Sequence, residues 1–162
     1  MSTNVLLSLG SNINNPRIQL EIAVAKLVEL PRTTFIARSG LYQTPPWGNI
    51  NQPDFINMAV LISTSLKVVE LMQNILRIEN EMGRVRAEKW GPRIIDIDIA
   101  LFGEKVQNDG LVAVPHLFMH ERRFVLEPSD EIAGTMIHPV LNQTISELLS
   151  NCNDSSVVLP VV

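Results

Sequence analysis

Pro92-Arg93-Ile94-Ile95-Asp96-Ile97-Asp98-Ile99-Ala100-Leu101 alternates two carboxylates with aliphatic side chains. Successive side chains on a strand point to opposite faces, so Asp96 and Asp98 share one face while Ile95, Ile97 and Ile99 occupy the other. Neighbouring anions on a half-buried strand raise each other's pKa and resist leaving water. A divalent cation is the usual compensator, and Mg2+ is typically held by one or two carboxylates together with substrate phosphates. The same alternation also fits an edge strand with one wet face, so the flanking segments must decide.

Working outward, Val5 to Leu9 closed by Gly10-Ser11-Asn12 predicts a buried strand that turns sharply. Asn15 as N-cap before Pro16 opens a helix in which Ile18, Ile22, Ala25 and Leu27/Val28 recur at helical spacing as far as Pro31. Thr33 to Tyr42 reads as one strand and Asp54 to Thr64 as another, the latter setting Phe55, Asn57, Ala59 and Leu61 on a common face. Between them, Gln43 to Pro53 is too rich in Pro, Gly and Asn for regular structure. Lys67 to Met82 predicts a second long helix with Ser65 as cap and Gly83 as stop. The irregular stretch Arg84 to Arg93 then leads into the aspartate strand and a hairpin at Gly103-Glu104. Short helices are expected at His120 to Leu126, ending before Pro128, and at Thr144 to Leu149, with residues 151–162 a loosely held tail.

The resulting order, β-α-β-β-α-β, is the split βαβ or ferredoxin-like pattern. The predicted class is therefore α/β (α+β), with a ferredoxin-like βαββαβ core, helices packed on the sheet faces and a three-layer sandwich. No repeat or linker divides residues 1–162, which read as a single domain.

Composition excludes several functions. Hydrophobic residues make up 46% and charged residues 19%, with a formal net charge of −4, which argues for an ordered globule and against nucleic-acid binding. The lone Cys152 can build neither a disulfide framework nor a cysteine zinc site within the chain. The N-terminal segment lacks the basic region of a signal peptide and turns polar after a few apolar residues, and no stretch reaches the length of a membrane span. A cytoplasmic protein without membrane or nucleic-acid partners is expected.

Three clusters carry chemistry. Arg84, Arg86, Lys89 and Arg93 concentrate four of the 13 cations in the decapeptide before the aspartate strand. The fixed fork of arginine suits bidentate phosphate contacts, so this segment can supply the clamp of a phosphoryl-transfer site. Trp90-Gly91 within it suits either an anchor or a lid that excludes water. In the second cluster, Thr44-Pro45-Pro46-Trp47-Gly48 precedes Phe55 and Asn57 on one strand face, an aromatic stacker beside an amide, which fits a flat heterocycle. The third holds His116, His120, Arg122 and Phe124; no third soft ligand accompanies the histidines and Pro115 interrupts the helix a zinc pair would need.

Taken together, Leu9-Gly10-Ser11-Asn12, Tyr42-Gln43-Thr44-Pro45-Pro46-Trp47-Gly48, Gln52-Pro53-Asp54-Phe55-Ile56-Asn57, Glu79 to Arg86, Trp90-Gly91-Pro92-Arg93 with the aspartate strand, and Val114-Pro115-His116 resemble the 6-hydroxymethyl-7,8-dihydropterin pyrophosphokinase family of folate biosynthesis. The resemblance implies transfer of the β,γ-pyrophosphoryl unit of ATP to the pterin hydroxymethyl oxygen, releasing AMP, with two Mg2+ ions on Asp96 and Asp98. It implies catalytic roles for Arg84, Arg93, Asp96 and Asp98, and a pterin slot of Thr44, Pro45, Pro46, Phe55, Asn57 and Phe124. It also implies ATP contacts from Glu79, Arg84, Arg86, Lys89, Trp90, Arg93, Ile99, His116 and Arg122. Its partners would be ATP and the pterin, with weak association with other folate enzymes left open. The chain departs from the family pattern at Leu76, Val112, Ala113 and Leu117, where polar residues are frequent, and at Lys89, where arginine is expected and a fork is lost. The competing readings are a nucleotidyltransferase built on Gly10-Ser11 and the D-x-D pair, which lie far apart in the chain, and a ferredoxin-like small-ligand or regulatory module.

Overall fold

The computed structural model describes residues 1–46, 48–85 and 91–161. Strand β1 (Thr3–Ser11) leads to helix α1 (Pro16–Val28), then to β2 (Thr33–Arg38), β3 (Leu41–Thr44) and β4 (Phe55–Thr64), helix α2 (Val68–Glu81) and β5 (Asp96–Phe102). The two-residue strands β6 (Gln107–Asn108) and β7 (Ala113–Val114) pair with each other, so the turn at Gly103-Glu104 does not return a strand onto β5. A 3-10 turn (Met119–Glu121) precedes α3 (Arg123–Ala133), and the hairpin of β8 (Ile137–His138) and β9 (Gln143–Thr144) precedes α4 (Ile145–Ser150). The last strand is β10 (Leu159–Val161).

The main sheet runs β10-β3-β4-β1-β5, antiparallel at every pairing, with β2 also on β4. Its centre, β1 flanked by β4 and β5, is the expected ferredoxin-like arrangement. One face packs Val5, Leu7, Met58, Val60, Ile97 and Ile99 against α1 and α2. The other packs Leu6, Ala59, Ala100 and Leu101 against α3 and α4. Helices on both faces make β1 continuously buried, each large aliphatic side chain contributing roughly 1.5–3 kcal/mol.

Several boundaries depart from expectation. The strand expected over Thr33 to Tyr42 is two, because β2 pairs with the second half of β4 and β3 with the first. The break is stitched by Ser39, whose hydroxyl accepts from the Ala59 N–H at 2.9 Å, and by Glu131 of α3, which accepts from Gly40 N–H and from the Tyr42 hydroxyl at 2.6 Å. Helix α1 spreads its apolar residues over more than one face; it buries Leu20, Ala23, Val24 and Leu27, while Ile18 and Ile22, which mark the stripe legible in the sequence, are 52% and 39% exposed. The N-cap of α2 is Lys67, not Ser65, with Glu70 accepting from the Lys67 N–H. Helix α3 continues through Pro128, which is buried, and Ser129 donates to the Val125 carbonyl at 2.6 Å.

The segment after Ser150 is tied down rather than loosely held. Asp154 accepts from the backbone N–H of Arg123 at the start of α3, and β10 adds an edge strand to β3.

Candidate active site

Helices α3 and α4 cover only part of their sheet face. Beyond them the same face turns polar: Ser8 and Gly10 on β1, Phe55 and Asn57 on β4, and Asp96 and Asp98 on β5. Register explains the grouping, since Gly10 lies opposite both Asn57 and Asp96, and Ser8 opposite Asp98. The expected alternation of β5 holds over the aspartates, with Ile97 and Ile99 in the opposite core. The register then shifts opposite Leu6/Leu7, which returns Leu101 to the aspartate face.

A cavity of about 60 Å³ opens here between Phe55 and Phe124, with Thr44 and Pro45 on its side and Gly10 and Asn57 at its floor. Asn57 Nδ2 donates to Thr44 Oγ1 at 2.6 Å, both residues being buried, which fixes the amide and leaves Oδ1 over Gly10. A Cβ on Gly10 would stand 2.7 Å from that oxygen, so only glycine fits. Pro46 does not line the cavity.

An adjoining cleft of about 340 Å³ runs from Met72, Ile75 and Leu76 of α2 to His116, and shares Arg93, Asp96, Asp98 and Arg122 with the cavity. Asp96 accepts from Arg84 at 2.9 Å and from Arg93 at 2.8 Å. Glu79, at the end of α2, accepts from Arg84 at 2.5 Å and from the Ile97 N–H at 2.9 Å. Arg122 lies over Phe118 and Phe124, 5.4 and 5.8 Å from the ring centroids. Burial, and then Arg122, hold the His116 imidazole below its usual range, and its Nδ1 accepts from the Phe118 N–H, leaving Nε2 as the donor.

Burial pushes the Asp98 carboxyl up to about 7, with the Asp96 and Glu79 carboxylates adding to the effect. Among the described residues no group of three or more His, Cys, Asp or Glu side chains could enclose a metal. The donor set is instead two carboxylates beside arginines, which fits Mg2+ held jointly by protein and substrate phosphates, and Asp98 is the buried anion a cation would relieve.

Of the remaining residues expected in the site, the Ile99 side chain is packed in the core with α1 and α2 and does not join either pocket. Arg86, Lys89 and Trp90 lie outside the described residues. Val112 is a core residue at 2% exposure, whereas Leu76 lines the cleft. Sequence reasoning missed Ser8 as a wall residue and Gly10 as the cavity floor, although their spacing on β1 is the same alternation that placed Asp96 and Asp98 together. It also missed the apolar wall of Met72 and Ile75, which helical periodicity assigns to the core.

Paired carboxylates and arginines on a wall common to two pockets are the arrangement that suits a transferase of phosphate groups. The fold matches an HPPK-DHPS crystallised in complex with substrates (TM-score 0.70, 13% identity, 93% of this chain and 43% of that one). It also matches a Plasmodium falciparum HPPK-DHPS with pterin and p-hydroxybenzoate (TM-score 0.70, 17% identity, 93% and 42%). The chain thus spans less than half of those longer proteins. The family model for 7,8-dihydro-6-hydroxymethylpterin-pyrophosphokinase (HPPK) matches residues 6–134, and the chain belongs to that family. It is similar to the 2-amino-4-hydroxy-6-hydroxymethyldihydropteridine pyrophosphokinases of Haemophilus influenzae (38% identity, 94% of each chain) and Methylorubrum extorquens (42% identity, 96% and 97%). The Bacillus subtilis protein of that name is 44% identical over 82% of this chain and 79% of its own length.

Proposed function

We propose that this chain transfers pyrophosphate from ATP to the hydroxymethyl group of 6-hydroxymethyl-7,8-dihydropterin, giving AMP and the pterin diphosphate for folate biosynthesis. The observation that carries the reading is the shared wall: Arg93, Asp96, Asp98 and Arg122 border both the aromatic cavity and the larger cleft. A ring stacked between Phe55 and Phe124, with Thr44 and Asn57 reading its edge, directs its hydroxymethyl group at that wall. A triphosphate in the cleft reaches the same wall from the other side, its adenosine toward Leu76 and His116.

The pterin oxygen attacks the β-phosphorus, the bond from that phosphorus to the α,β-bridging oxygen breaks, AMP leaves and the hydroxyl proton passes to solvent. Arg84, Arg93 and Arg122 stabilise charge on the transferred group and on the leaving phosphate. Asp96 and Asp98 would hold two Mg2+ ions, which when bound neutralise the triphosphate and favour in-line geometry. Among the described residues no side chain stands out as a dedicated general base, so positioning and electrostatics supply the acceleration. Arg86, Lys89 and Trp90 would close over the nucleotide, as the family pattern implies. A cytoplasmic setting belongs to the same reading, with Cys152 a free thiol. The fused HPPK-DHPS chains support weak association with other folate enzymes.

The test is product analysis after mixing ATP, Mg2+ and the pterin. AMP formation dependent on pterin is expected; pyrophosphate release would indicate nucleotidyl transfer, and binding without turnover a ligand-binding module.

A further inference from the structure

Asn12, one residue beyond β1 and 2% exposed, stands between the segments that bound the two pockets. Its backbone N–H donates to the Arg93 carbonyl at 3.1 Å, and its Oδ1 accepts from the Arg93 N–H at 2.8 Å. Asn12 therefore pairs with Arg93 as a strand partner would, once through the main chain and once through the amide. Its Nδ2 donates to Gln52 Oε1 at 2.9 Å and to the Pro53 carbonyl at 3.0 Å. One buried side chain thus joins its own segment to two others, one 40 and 41 positions away at Gln52 and Pro53 and one 81 positions away at Arg93.

Each end of this bracket leads directly to a side chain that lines a pocket. The Arg93 guanidinium holds Asp96 at 2.8 Å on the shared wall. Pro53 is followed within two residues by Phe55, which stacks one side of the cavity. The planar amide is well suited to this, since it offers an acceptor to one segment and two donor hydrogens to the other at fixed separation. We infer that Asn12 is a positioning residue that couples the heterocycle cavity to the phosphate cleft, so that a phosphate drawing on Arg93 shifts or stiffens the segment carrying Phe55. Misplacement of about 1 Å between reacting groups costs on the order of a hundredfold in rate, which is why such a bracket matters for a two-substrate site.

The inference rests on the proposed function, and equilibrium binding tests it without turnover. Calorimetry gives the dissociation constant of the hydroxymethylpterin with and without a non-hydrolysable ATP analogue and Mg2+, and the ratio is the coupling factor. For the native chain a factor of roughly 5–150 is expected, the usual range of coupling between sites. Asn12→Ala should bring it to within about twofold of one while the affinity for the analogue alone stays within about threefold. Asn12→Asp keeps the acceptor for Arg93 but lacks the donor to Gln52 and Pro53, so it should lose coupling as well. Gln52→Ala leaves the buried residue in place and should lose part of it, which keeps the test available if the Asn12 variants do not fold. Unchanged coupling in these variants, or no coupling in the native chain, overturns the inference. So does a collapse of both separate affinities with the thermal midpoint, which would mark Asn12 as structural only. A native chain that binds neither ligand removes the functional reading itself, a result distinct from the others.

Discussion

Glu79 Oε2 accepts a hydrogen bond from the backbone N–H of Ile97 at 2.9 Å, which pins the last turn of α2 to β5 midway between the two aspartates. The same carboxylate accepts from Arg84, and it is 2% exposed. Removing it leaves a buried N–H and a part-buried guanidinium without this partner, at a cost of about 1–3 kcal/mol for the N–H alone. Glu79→Ala should lower Tm by several degrees and weaken nucleotide binding. Glu79→Gln, which keeps an acceptor, should lose less stability in a thermal melt.

Asp98 exchanges stability for function. Its folded-state pKa of about 7 lies above the ordinary 3.8, so its contribution to stability is fully present below about 4 and is lost as the pH rises toward 7. At pH 8 the metal-free protein therefore carries a desolvated anion that the Arg122 and Arg84 charges offset only in part. Asp98→Asn should raise the Tm of the metal-free protein at pH 8 by a few degrees, at about 2–4 °C per kcal/mol. It should leave Tm below pH 4 nearly unchanged and lower turnover by at least about a hundredfold. A variant less stable at pH 8 than the native chain would contradict this.

Gly10 is required by the distance of 2.7 Å between a Cβ at that position and Asn57 Oδ1. Gly10→Ala should force the amide away from its bond with Thr44 and raise the KM for the pterin by roughly tenfold, the equivalent of one or two buried hydrogen bonds. Nucleotide affinity, measured separately, should change little.

Asp154 replaces a local cap for α3. Arg122 makes no side-chain cap bond, and the free N–H of Arg123 is satisfied instead from the C-terminal segment at 3.0 Å. Asp154→Ala should cost about 1 kcal/mol, or roughly 2–4 °C in Tm. Hydrogen bonds from Ser156 and Arg123 outweigh burial and hold this carboxyl below its ordinary range, so the stabilisation is present above about pH 4 and disappears as the pH falls further. The difference in Tm between native and variant should therefore shrink in acid.

The aspartate strand, the ferredoxin-like order and the pairing of Phe55 with Asn57 were legible because strand alternation is a local rule that tertiary packing did not override here. Helix α1 was legible in extent but not in orientation. Ile18 and Ile22 mark one apolar stripe and Leu20, Ala23, Val24 and Leu27 another, and only the sheet decides which is buried. The division of residues 33–44 into two strands was hidden because Ser39 and Glu131 supply the missing strand partners from side chains, one of them 91 positions away. Pro128 signals a helix end in isolation; in α3 it is buried as part of the helix's inner face. The placement of Ile99 among nucleotide residues came from the family pattern, and its side chain lies in the opposite core.

The most direct measurement is phosphorus NMR of a single incubation of the native chain with ATP, Mg2+ and 6-hydroxymethyl-7,8-dihydropterin. One AMP should appear for each pterin diphosphate formed, with no ADP and no free pyrophosphate, and the signals should be absent with Asp96→Asn. Formation of ADP or pyrophosphate, or undiminished product from that variant, would contradict transfer of the β,γ-unit at the aspartate wall.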